Sequence, residues 1–140
     1  MASKREQIIA ALKTTLTGTT GVSTRIYRSR VEPMTRSESP ALVLEWSSDQ
    51  PDIRGTIGHI DWTLRVRVVV ISRGTVPDNL ADATIESLHS KLLADPTVGG
   101  LAIDVRPSTT TFEVVEADQP AGVIICEFEV DYRTPYGSLS

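Results

Sequence analysis

The chain has 140 residues, 40% of them hydrophobic and 23% charged, with a formal net charge of −4, a size that supports one domain around one core. The acidic balance argues against nucleic-acid binding driven by phosphate neutralisation. A single cysteine, Cys126, excludes an internal disulfide, and the longest apolar run, Val66 to Ile71 interrupted by Arg67, falls far short of the ~20 residues that a membrane span requires.

No apolar stretch follows the polar start Met1 to Glu6, so the expectation is a protein that folds in a reducing cytoplasm. The first element is a helix from about Ser3 to Leu16: Ser3 and Glu6 have capping-box spacing, and Ile9, Leu12 and Leu16 share a face. Gly18 to Gly21 ends it. Ile26, Tyr27 and Val31 read as a short extended piece before the breakers Glu32-Pro33-Met34 and Ser37 to Pro40. Ala41 to Trp46 reads as a strand with Leu42, Leu44 and Trp46 on one side. The next segment, Ser47 to Gly58, is polar and long for a hairpin connection, and it is expected to be a mobile loop.

From Trp62 to Ile71 the pattern alternates: Trp62, Leu64, Val66, Val68 and Val70 form an apolar row, and Arg65 and Arg67 stand on the other side with Thr63, Val69 and Ile71. After Arg73-Gly74 the period lengthens, with Ala81, Ile85, Leu88 and Leu92 on one helical face, Pro77 near the start and Asp95-Pro96 as the stop. Leu101 to Val105 and Thr111 to Val115 read as two short strands around Pro107. Gln119 to Gly122 turns into a last strand, Val123 to Tyr132, where Ile124, Cys126, Phe128, Val130 and Tyr132 alternate with Glu127, Glu129, Asp131 and then Arg133. Residues 135–140 form a closing tail. The element order predicts a single α+β domain: a mainly antiparallel, mixed sheet with two helices packed on one face.

Chemistry-bearing residues are sparse. His59 and Asp61 could project from one strand face, but no nucleophile elbow accompanies them, so a polar strand-end pair is the simpler reading. His89 lies beside the Leu88 stripe as a helix surface residue. Metal binding needs three or four converging ligands, and one cysteine with two distant histidines does not supply them. Cys126 reads as a small buried hydrophobe. Glu127 and Glu129 could formally act as an acid/base pair, yet their row continues to Asp131 and Arg133 with arginines available on another strand, the pattern of a solvated or inter-subunit sheet face. No Gly-rich phosphate loop is present. The expectation is a protein without catalytic residues, metal or cofactor. Arg25, Arg28, Arg30 and Arg36 form a basic edge, phosphate-facing or simply solvated.

The order amphipathic helix, Tyr27-Arg28, Ser39 to Leu44 (Ser-Pro-Ala-Leu-Val-Leu), loop, Val68 to Gly74 (Val-Val-Val-Ile-Ser-Arg-Gly), helix, and Glu129 to Thr134 (Glu-Val-Asp-Tyr-Arg-Thr) resembles phage tail terminator proteins, the minor tail protein U and tail-completion group. The resemblance implies a structural virion protein of a long-tailed phage or prophage. Such a protein forms a ring, generally hexameric, that caps the tail tube, stops its polymerisation and offers the surface where the head joins. It implies as partners further copies of itself, the major tail tube protein and a head-completion or neck protein, with DNA passing through unbound and no membrane. Its place would be the head-proximal end of the tail, reached from the host cytoplasm.

A ring requires each subunit to carry two unlike surfaces that fit each other. Arg65, Arg67, Glu127, Glu129 and Asp131 are candidates for such surfaces or for pairing within one subunit, and Asp49, Asp52 and Arg54 are candidates for contact with the tube. The alternatives are another neck or connector component, and a small cytosolic enzyme or ligand-binding domain using His59.

Overall fold

The computed structural model describes residues 2–19, 26–28, 41–52, 57–73, 77–115 and 121–140. In chain order these form α1 (Lys4–Leu16), β1 (Ile26–Arg28), β2 (Ala41–Asp52), β3 (His59–Arg73), α2 (Pro77–Ala94), β4 (Asp104–Val115) and β5 (Ala121–Pro135). The strands make one sheet in the order β1-β2-β3-β5-β4, with β1 parallel to β2 and every other pair antiparallel. The expected α+β class and single mixed sheet are therefore present.

Ser3 caps α1, its hydroxyl accepting from the Glu6 backbone N–H at 3.2 Å, which satisfies one of the donors a helix start leaves unpaired. The Glu6 side chain does not return to complete the box; it binds Arg28 instead. Ile8, Ile9, Leu12 and Leu16 of α1 and Ala81, Leu88 and Leu92 of α2 pack on the apolar row of the sheet as one buried cluster. Across the sheet that row is in register: Leu42 opposes Val70, Leu44 opposes Val68, and Val68, Val66 and Leu64 oppose Cys126, Phe128 and Val130. Residues on alternate positions point the other way, so the second face of the sheet carries the charged rows together with outward valines and isoleucines.

Two boundaries differ from the sequence reading. Ser47 to Asp52 belongs to β2, which continues past a bulge between Trp46 and Ser48, so the connection to β3 is 53–58 and not the whole of Ser47 to Gly58. The polar composition of this stretch reflects an exposed strand end. Leu101 to Val105 and Thr111 to Val115 are not two strands around Pro107, because β4 runs unbroken through it with a second bulge between Pro107 and Thr109. The closing tail is tied down as well: Tyr136 N–H donates to the Gly58 carbonyl at 2.9 Å, and Lys4 N–H to the Leu139 carbonyl at 2.7 Å.

Leu64 is fully buried at the centre of the sheet. Its truncation to alanine is expected to cost about 2–5 kcal/mol, read as a lower urea midpoint with an unchanged slope; a loss below about 1 kcal/mol would contradict the packing described here.

Candidate assembly surface

The sheet face opposite the helices carries a charge network written across four strands. Arg65 on β3 donates to Glu129 on β5 at 3.1 Å, and Arg106 on β4 donates to the other oxygen of Glu129 at 2.7 Å and to Asp131. Thr63 also donates to Asp131, at 3.1 Å, and Thr109 to Glu127 at 2.9 Å. Arg67 sits between Glu45 on β2 (3.6 Å) and Glu127 on β5 (3.7 Å). The row ends at Arg133, whose Nε and Nη2 donate to Asp61 at 2.6 and 3.2 Å. The five sheet-face residues singled out from sequence are thus brought together, and they pair within one chain. Each pair is partly exposed, so each contributes only tenths of a kcal/mol to about 1 kcal/mol.

The same face is divided. Val43, Val69, Ile71, Val123 and Ile125 occupy the outward positions at its other end, where β2, β3 and β5 oppose Val43 to Val69 and Val69 to Ile125. Arg106 and Asp104 are residues that the sequence did not disclose. They join the network through the continuous β4, and nothing in the local pattern around Pro107 marks them.

A second cluster lies on the helix face. The bulge after Trp46 adds one residue to β2, which reverses the side that later residues point to. Asp49 therefore opposes Leu64 and turns inward, its side chain only 4% exposed. One of its oxygens accepts from the Tyr132 hydroxyl and lies 3.4 Å from Arg5 Nη1; the other is buried without a hydrogen-bond partner among the described residues. Burial and, secondarily, the Asp49 carboxylate push the Tyr132 phenol well above its ordinary range. Trp62 stacks on Tyr132 at 6.2 Å and donates its indole N–H to Thr134 at 2.9 Å, while the Arg5 guanidinium lies 4.5 Å from the Trp46 ring centroid.

Asp49 is accordingly not an exposed loop residue available to a tube subunit, as its sequence neighbourhood implied. Asp52 closes β2 at an exposed position, and Arg54 lies outside the described residues. Of the basic edge, Arg28 is bound to both oxygens of Glu6 (2.6 and 2.9 Å), and that hydrogen bond holds the Glu6 carboxyl below its ordinary range. Arg25, Arg30 and Arg36 lie outside the described residues.

The formal acid/base pair Glu127 and Glu129 is engaged by Thr109, Arg65, Arg67 and Arg106. Asp61, the residue that would orient His59, is held by Arg133, which keeps its carboxyl pKa low. His89 is an exposed residue of α2 whose ring lies 6.4 Å from that of Phe128. Cys126 is buried, and burial raises its thiol pKa. Among the described residues no three His, Cys, Asp or Glu side chains are grouped as a metal ion requires, and no helix is long and apolar enough to cross a membrane. A groove of about 450 Å³ lies between the C-terminal ends of the two helices, lined by Leu12, Thr15, Lys91, Leu92 and Val98 among others.

No family model and no curated protein matches the chain. Among solved structures, it is similar to a chain from the virion of a native gene transfer agent particle, at a TM-score of 0.58 and 12% sequence identity, covering 94% of this chain and 92% of that one. At that identity the likeness is one of fold, and it extends over nearly the whole of both chains.

Two outcomes follow from the geometry. Tyr132→Phe removes the closest donor to a buried carboxylate and is expected to cost about 1–3 kcal/mol in equilibrium unfolding; stability equal to wild type would show that Asp49 is satisfied otherwise. Glu6 and Asp61 have lowered pKa values, so their contribution is present above their unfolded pKa and is lost as pH falls through the lower folded value. The urea midpoint should therefore decline between about pH 5 and about pH 2 and do so less in high salt, because both pairs are exposed. A midpoint that rises on acidification would contradict this.

Proposed function

We propose that this chain is a structural protein of a long-tailed phage or phage-like particle. In this reading it caps the tail tube as a ring of identical copies, ending tube growth and presenting the surface to which the head joins. The observation that carries the reading is the fold shared end to end with a chain of a virion particle. The wiring of the sheet supports it. Its carboxylates are tied to arginines within the chain, an arrangement in which neighbouring side chains hold one another in place across the sheet face.

Ring formation needs two unlike patches on each subunit, and the molecule offers several: the divided sheet face, the exposed Trp46 with Arg5 stacked on it, and two sheet edges of different length. Partners in this reading are further copies of the chain, the tube subunit below and a neck protein above. The net charge of −4 suits a ring through which DNA passes without adhering.

Gel filtration and negative-stain microscopy of the purified protein test the proposal. The expected result is a ring with a central opening that, mixed with tail tubes, decorates one end of each tube and blocks further subunit addition. A strict monomer that leaves tube ends bare would overturn it, and binding to portal complexes in place of tubes would move the chain to the neck.

A further inference from the structure

The outer edge of β4 is open, and the carboxylates beside it have no cations. β4 forms the end of the sheet, with β5 as its strand neighbour. Tyr136 N–H donates to the Gly58 carbonyl, so even-numbered residues of β5 direct their backbone groups to β3 and odd-numbered ones to β4. Ile103 N–H, which donates to the Asp131 carbonyl at 2.6 Å, agrees with that phase. Thr109, Thr111 and Glu113 oppose odd positions and bond to β5, whereas Thr110 and Phe112 direct their N–H and C=O groups outward. Both are exposed, and among the described residues neither makes a backbone hydrogen bond on that side. Sheet edges are usually blunted by lysines, prolines or bulges, because unpaired main-chain groups invite a further strand. From Thr109 to Phe112 there is no such device.

The helix α2 flanks this edge. It packs against β3, β5 and β4. The chain passes from β3 through α2 to β4, and β3 and β4 both run antiparallel to β5, so α2 returns along the sheet against the direction of β4. The His89 ring lies 6.4 Å from that of Phe128, which opposes Pro107. Glu86 and Asp82, three and seven positions before His89, share its side of the helix and lie towards the Thr110 to Glu113 end of the strand. Both are exposed, as is Glu113. Between them Phe112, on the helix side of the sheet opposite Ile124, is 46% exposed. On the other face Glu127, Glu129 and Asp131 each have an arginine; Asp82, Glu86 and Glu113 have no cationic partner among the described residues.

We propose that the β4 edge takes up an extended, basic segment of another protein as a sixth strand of the sheet. Main-chain bonds to Thr110 and Phe112 supply the register. Alternate side chains of the added strand point to the helix side, and lysines or arginines there lay their aliphatic stems along Phe112 and carry their charge to Asp82 and Glu86. Charge selects the occupant. An acidic strand would meet three unpaired carboxylates, and a second β4 edge would bring the same three again, an unfavourable juxtaposition of like charges. This contact belongs to the single chain and is independent of ring closure.

The probe is an acetylated, amidated peptide of alternating lysine and valine, compared with its glutamate-for-lysine counterpart and with the lysine peptide methylated on every backbone nitrogen. The methylated peptide keeps its charge and cannot pair as a strand. In fluorescence anisotropy the lysine peptide is expected to bind saturably and the other two at least about tenfold more weakly, with slower hydrogen exchange at the Thr110 and Phe112 amides at saturation. Asp82→Asn and Glu86→Gln should each weaken binding about two- to fivefold. Phe112→Pro, which removes one outward N–H and leaves the bonds to β5, should abolish it with an unchanged circular dichroism spectrum. Equal binding of the methylated and unmethylated lysine peptides would reduce the effect to charge attraction and overturn the proposal. Unchanged exchange at Thr110 and Phe112 would overturn it too, as would slow exchange there in dilute free protein, which would mean an edge already occupied. A strict monomer that binds the lysine peptide upholds this contact and defeats the ring reading, whereas a ring that takes no peptide defeats only this contact.

Discussion

The antiparallel pairing of β3 with β5, unbroken from His59 opposite Pro135 to Arg73 opposite Ala121, is the constraint on which the other features rest. Strand side chains alternate with a period of two, so one register decides every position at once. In this register Leu64, Val66 and Val68 meet Val130, Phe128 and Cys126 on the side the helices cover, and Arg65 and Arg67 meet Glu129 and Glu127 on the side they leave bare. A slip of one residue would bury the arginines under α1 and α2, at a cost far above anything the surface ion pairs contribute. The hydrophobic row therefore fixes the register, and the ion pairs confirm it at little energetic gain.

The two bulges work against that regularity in a useful way. The one after Trp46 turns Asp49 from the bare face to the helix face, into reach of Tyr132 and Arg5. The one after Pro107 restores pairing beyond a residue that lacks an N–H, and Thr109 to Glu113 beyond it are exposed. Each inserts a single residue and changes what the surface offers: the first draws a carboxylate inward, and the second lengthens an open edge. Both are properties of pairing between strands distant in sequence.

The arginine network ties the four longer strands together on the sheet face opposite the helices. Arg106 alone reaches two carboxylates on β5 and lies 3.9 Å from Asp104 on its own strand, so rotation of any one side chain is opposed by its neighbours. A network of this kind contributes less to stability than to shape, because exposed pairs gain little over their hydration while their geometry is shared. The tied-down tail, where Leu139 accepts from the start of α1, extends the same firmness to the chain end.

The alternating rows of Trp62 to Ile71 and Val123 to Tyr132, the capped helix at Ser3 and the lengthened period from Ala81 to Leu92 were all legible in the sequence, since periodicity and capping are local consequences of backbone geometry. From them come the fold class, the core face and the facing of arginines to carboxylates. Asp49 could not be placed that way: a polar residue in a polar stretch looks like loop, and only a bulge set by pairing with β3 turns it inward. Arg106 was likewise hidden, because its two partners lie on β5, more than twenty positions further along. Local pattern decides which residues form strands and which faces they bury; sheet order, bulges and long-range partners are settled when the strands meet, for the energy that selects them resides in contacts between distant segments.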